Sequence, residues 1–165
     1  MPADYSFDVV SQFDRQELVN ALDQTRRELG ARFDFKNSPF EINLEAEQIV
    51  ILADSEAKLN AIKDVVQGKL VRRSLPLKIL QWDKPEDAAG GKMRQHVKLV
   101  QGISADLARQ ISKYIRDKHP KAKPAIQGDA VRVSAKSKDE LQTVIQGLRA
   151  QEQGYDVALQ FINYR

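Results

Sequence analysis

The sequence predicts an α+β fold made of two ferredoxin-like βαββαβ halves, each an antiparallel sheet with helices on one face. The same order of apolar patterns runs on either side of residues 83–91, a stretch with a proline, paired glycines and no apolar period. An offset of 82 residues superposes Ile49, Ile51, Ala53, Ser55, Leu59, Ile62 and Val66 on Val131, Val133, Ala135, Ser137, Leu141, Val144 and Leu148. Agreement in type across a strand and a helix reads as an internal duplication. The length of 165 residues suits one domain or two small ones. The expected division is a first half at 1–82, a linker at 83–91 that tolerates substitution of Gly90 and Gly91, and a second half at 92–165.

In the first half, Phe7-Asp8-Val9-Val10 reads as a strand. Asp14 caps a helix, with Glu17 at capping-box spacing and Leu18, Leu22 and Leu29 on one face. Phe33, Phe35, Phe40, Ile42 and Leu44 alternate as the core side of strands broken by a turn at Asn37-Ser38-Pro39. Ile49, Ile51 and Ala53 form the next strand. Ser55 starts a helix with Leu59, Ile62 and Val66 inward, and Leu77 with Ile79 supplies the last strand.

The second half opens with a strand through Val97 and Leu99. Ser104 starts a helix carrying Leu107, Ile111 and Ile115, which His119-Pro120 stops. Ile126-Gln127-Gly128-Asp129-Ala130-Val131 is a two-residue hairpin signal, with Gly128 suited to positive φ. Ser137 and Glu140 repeat the capping-box spacing before Leu141, Val144 and Leu148. Leu159-Gln160-Phe161 closes the chain as a strand.

Composition removes several function classes. Hydrophobic residues at 42% and charged residues at 30% describe a globular chain, and no apolar run approaches a membrane span. Met1-Pro2-Ala3-Asp4 lacks the blocks of a signal peptide, and a cytoplasmic setting is expected. Without cysteine there is no disulfide, thiolate metal site or cysteine nucleophile. His96 and His119 are the two histidines and show no metal-ligand spacing. Gly90-Gly91-Lys92 is followed by Met93, not by the hydroxyl residue that a phosphate loop needs. No residue is given a catalytic role, and no cofactor or metal is expected.

Charge is uneven along the chain. Residues 1–91 hold 12 Lys and Arg against 16 Asp and Glu, whereas residues 92–165 hold 14 against 7. Hairpin parity sets Lys123, Ala125, Arg132 and Ser134 opposite the helix-facing Pro124, Ile126, Val131 and Val133, and Lys136 follows on the same side. Arg94, His96 and Lys98 alternate with Val97 and Leu99 in the same way. The outward positions of the first half are acidic or apolar: Asp34, Glu41, Asn43, Glu45, Val50 and Leu52. Cations on one sheet face suit phosphates, with solvated surface as the competing reading. Arg72 and Arg73 form a second basic group, either complementing a helix dipole or clamping phosphate. Base-stacking rings on the central strands are not expected, because Phe33, Phe35 and Phe40 follow core parity; near the C-terminus Phe161 and Tyr164 could stack, with Phe161 read as core.

Several stretches resemble one family of bacterial proteins, the YajQ family. They are Ser6-Phe7-Asp8-Val9-Val10-Ser11, Arg32-Phe33-Asp34-Phe35-Lys36, residues 126–133, residues 136–142, and Leu159-Gln160-Phe161-Ile162-Asn163-Tyr164-Arg165. The resemblance covers essentially the whole chain. It implies two ferredoxin-like domains that exchange their first strands, nucleotide binding, and no established catalysis. Its members are described as cyclic di-GMP effectors, and others as binders of nucleotides or tRNA. The expected function is therefore a non-enzymatic nucleotide-binding protein, with cyclic di-GMP ahead of GTP or ATP. Arg132, Lys123, Lys136 and Ser134 would form the site, with Arg72, Arg73 and Arg32. An RNA or tRNA accessory protein, and a protein-interaction module acting as a transcription cofactor through Val50 and Leu52, are the alternatives.

Overall fold

The computed structural model describes residues 4–165, so Met1-Pro2-Ala3 lie outside the described residues. The order is β1 (Tyr5–Val10), α1 (Arg15–Ala31), β2 (Glu41–Leu44), β3 (Gln48–Ala53), α2 (Glu56–Arg72), β4 (Leu80–Trp82), β5 (Glu86–Ala88), β6 (Lys92–Leu99), α3 (Ala105–Lys118), β7 (Lys123–Gln127), β8 (Ala130–Ala135), α4 (Lys138–Gln151) and β9 (Gln160–Ile162). Two antiparallel sheets result, ordered β7-β8-β1-β9 and β2-β3-β6-β4, with β5 pairing β6. No helix among the described residues is long and apolar enough to cross a membrane.

Helix starts follow local chemistry. The Asp14 carboxylate accepts the N–H groups of Gln16 and Glu17, and the Ser55, Ser104 and Ser137 hydroxyls accept those of Lys58, Leu107 and Glu140. Burial alternates strictly along β3 and β8, which gives each sheet one apolar face. The hairpin register is the expected one, with Ile126 opposite Val131 and Pro124 opposite Val133. Gly128 takes φ +59° in its turn. Pro124 sits on an outer strand, where its missing N–H costs no ladder bond.

The pairing of the strands regroups the chain. β1 lies between β8 and β9, and β6 lies between β3 and β4. Residues up to Gln12 therefore group with Gln101–Arg165, and Phe13–Val100 form the other unit. One core holds Leu18, Leu22, Ile49, Ile51, Leu59, Ile62 and Val97. The other holds Phe7, Val9, Ile111, Ile115, Val131, Val133, Val144 and Leu148, all fully buried.

Three expectations change. Residues 83–91 are not a free linker: Glu86–Ala88 pair with Arg94, Met93 and Lys92 of β6, and a tight turn at Ala89–Gly91 joins the two strands. Leu77 and Ile79 form a 3₁₀ turn ahead of β4, with Leu77 exposed. Phe33–Phe35 is likewise a 3₁₀ turn; Phe35 is buried but Phe33 is 87% exposed. Period-two parity failed at these places because a 3₁₀ turn does not alternate faces.

Gly90 and Gly91 each take φ +74°. A Cβ in this left-handed region costs roughly 1–2 kcal/mol per residue, partly offset by a less flexible unfolded chain. Replacing both with Ala is expected to lower stability by about 1–3 kcal/mol. A denaturation midpoint unchanged from wild type would show that the turn is not held as described.

Candidate functional site

The ends of β7, β8 and α4 build a basic cavity. Pro120 follows the close of α3, Lys121 lies in the turn after it, and Lys123 opens β7. Lys123 lies opposite Ser134, and Tyr5 of β1 lies opposite Ala135, which brings Asp4 to the same corner. After Ala135, Lys136 and the cap Ser137 turn the chain into α4. A cavity of about 480 Å³ results, edged by Lys121, Lys123, Ser134, Lys136, Asp4 and Glu140. The three lysines are exposed, and none has an ion-pair partner among the described residues. Three ammonium groups, joined by the positive end of the α4 dipole, make a field that favours an anion. Asp4 and Glu140 add two carboxylates that repel bare phosphate and accept hydrogen bonds from donors.

Lys123, Ser134 and Lys136 are thus brought together as expected. Arg132 shares their side of β8 but is already engaged. Its Nε donates to Asp8 Oδ1 at 2.9 Å and its Nη2 to Oδ2 at 3.3 Å, while Asn163 Nδ2 donates to Oδ2 at 2.7 Å. Asp8 is 7% exposed. The Arg132 hydrogen bonds hold its carboxyl below the usual carboxylate range, against a smaller upward push from burial. A lowered folded pKa gives stability that is present above about pH 4 and lost as pH falls through the folded value. Asp8→Asn is expected to cost about 1–2 kcal/mol near pH 7 and much less near pH 2. Equal melting-temperature losses at both pH values would contradict this ionic role.

The remaining candidates belong to the unit of residues 13–100. Arg32 is paired with Asp34 at 3.0 and 2.8 Å. Arg73 donates to Glu17 at 3.1 Å and to Gln24 at 3.3 Å. Arg72, in the last turn of α2, lines a cavity of about 750 Å³ with Arg27 and Lys69, and Lys69 is paired with Glu28. Arg94 and His96 both meet Glu86, at 3.5 and 3.1 Å, on the sheet of β2 and β3.

That placement also changes the charge pattern. Residues 13–100 hold 15 Lys and Arg against 14 Asp and Glu, and the other unit holds 11 against 9. The strong asymmetry between sequence halves is almost gone, because β6 carries three cations into one unit and the segment with β1 carries two acids into the other. Sequence reading overlooked Lys121, Glu140, Asp4 and Asp8. Lys121 was visible as Lys-x-Lys alternation before Pro124; Asp8 was not, since its partner lies 124 residues away.

Comparison with known proteins gives the family of the whole chain. The family model described as "Nucleotide-binding protein YajQ-like" matches residues 5–165. A protein of Synechococcus sp. (strain JA-3-3Ab) named "Nucleotide-binding protein" is 54% identical over 165 residues, the whole of both chains. Proteins of the same name from Chloroflexus aurantiacus and Trichormus variabilis are each 52% identical, again over the full length of both chains.

Proposed function

The chain belongs to the YajQ-like family of nucleotide-binding proteins, and on that premise we propose that the unit containing residues 101–165 binds a nucleotide through its phosphates at Lys121, Lys123 and Lys136. The observation that carries this reading is three ammonium groups, free of ion pairs among the described residues, around one cavity of about 480 Å³. Small-ligand pockets run from roughly 300 to 1,000 Å³, so a nucleotide fits in size. Phosphate oxygens take the ammonium charges, and Asp4 and Glu140 accept N–H or O–H groups of a base or ribose. Ser134 offers a hydroxyl beside them.

The ligand we propose is cyclic di-GMP, bound without turnover by a cytoplasmic effector, with GTP and ATP as weaker competitors. Arg132 has two of its donors committed to Asp8, so it tunes the face beside the cavity instead of leading phosphate capture. Calorimetric titration with cyclic di-GMP, GTP, ATP and tRNA at two salt concentrations tests the reading. Saturable binding of cyclic di-GMP with a shallow salt slope is expected, because few phosphates are contacted. Preference for tRNA with a steep salt slope would replace it with the RNA-binding alternative. No binding of any of the four would remove it.

A further inference from the structure

Phe33 is the most exposed large apolar side chain among the described residues, at 87%. Single exposed hydrophobic residues are ordinary on protein surfaces. Phe33 differs in how firmly it is presented. Phe35, two residues on, is buried and meets Phe40 edge-on at 5.5 Å, which anchors the turn. The Lys36 and Ser38 N–H groups close back onto Phe33 and Phe35 carbonyls at 3.1 Å, and Asn37 takes φ +61°. The Ser38 hydroxyl donates to Asp54 at 2.8 Å. Arg32 grips Asp34 with two hydrogen bonds, and Lys58 donates to the Asp34 carbonyl. The loop is braced from below, and the ring stands clear of it.

The turn that presents Phe33 also gathers cations, two of them on the buried Phe35 ring. The Lys58 ammonium lies 4.7 Å and the Arg32 guanidinium 5.8 Å from the Phe35 ring, and Lys36 follows in the same turn. Asp34 is the one carboxylate within the turn itself. An exposed ring on a turn that also carries cations can stack a base while its phosphates meet positive charge. An apolar protein pocket would need the ring but not Lys36 and Lys58 beside the turn.

We propose that the Arg32–Lys36 loop is a contact for an unpaired nucleobase, with Phe33 as the stacking ring and Lys36 and Lys58 near the phosphates, while Arg32 stays on Asp34 and braces the turn. The contact lies in the other unit from the lysine cavity and does not depend on it. Fluorescence anisotropy of the full chain with a labelled eight-adenylate RNA tests it, with unlabelled AMP as competitor. Stacking of one base is worth ~1–3 kcal/mol on truncation to Ala, so Phe33→Ala should weaken oligonucleotide binding about 5- to 150-fold. Phe33→Leu should lose as much, because it keeps apolar area but no π-face, whereas Phe33→Trp should bind at least as well as wild type. Melting temperatures should be unchanged in all three variants, since the ring is exposed. Competition by AMP at similar concentrations would identify the source as a free nucleotide, and its failure to compete would identify a strand. No oligonucleotide binding by wild type, an unaffected Phe33→Ala, or a Phe33→Leu that binds like wild type would overturn the proposal. The last result would point to a protein pocket.

Discussion

Replacing Phe7 with alanine is expected to cost about 3–5 kcal/mol, a large part of the 5–15 kcal/mol that holds a domain of ordinary stability. The side chain is fully buried, lies opposite Val133, and meets Phe161 edge-on at 5.8 Å and Tyr164 at 6.1 Å. Truncation removes its transfer energy and leaves a cavity bounded by strands that cannot collapse freely. The location of the damage is more informative than its size. Phe7 is an N-terminal residue, yet all these partners come from residues 133–164. Hydrogen exchange should therefore rise first in β8, β9 and α4, with β2, β3 and α2 retaining protection. Val97→Ala is the reciprocal variant, because Val97 is fully buried among Leu18, Ile49 and their neighbours. Loss of protection in β2 and β3 on Phe7→Ala, with β8 intact, would refute the strand pairing.

The double variant Lys123→Ala/Lys136→Ala is expected to weaken nucleotide binding about 100-fold. In the proposed site each ammonium would supply one charge-assisted contact to phosphate, worth roughly 1.5–3 kcal/mol where solvent is excluded. Both lysines are exposed, so solvent screening argues for the low end, about ten-fold each. Neither side chain contributes to a core, so the melting temperature of the free protein should change little. Arginine at both positions should restore much of the affinity, whereas Glu45→Ala, in the other unit, should leave it unchanged. Retention of wild-type affinity by the double variant at low salt would exclude the cavity as the phosphate site.

The legible part of this protein is the part written in local chemistry. Asp14, Ser55, Ser104 and Ser137 each cap the helix expected of them, because a cap needs only a side-chain oxygen and N–H groups two or three residues ahead. The alternation of Ile49-Val50-Ile51 and Val131-Arg132-Val133 showed which side chains leave the core, since strand parity is set by the backbone. From these the two-unit α+β organisation followed, and so did the gathering of Lys123, Ser134 and Lys136 on one side of a hairpin.

The destination of each strand was not written locally. Ladder hydrogen bonds join backbone groups that are the same in every residue, so β1 could pair with either half as far as its own sequence showed. Tertiary packing placed it against β8, and that single pairing put Asp8 on Arg132, converting an expected phosphate ligand into half of an ion pair. The same packing moved Arg94 and His96 beside Glu86 and drew residues 86–88 into a sheet. It also left Phe33 in solvent, because a 3₁₀ turn anchored by Phe35 interrupts the alternation that would have buried it. The sequence by itself determined the four helices, their caps and the inward faces of strands such as β3 and β8, which depend on neighbours a few residues apart. The tertiary structure alone decided that Asp8 and Arg132 cancel while Lys121, Lys123 and Lys136 stay unpaired among the described residues, because Asp8 and Arg132 lie 124 residues apart in the chain.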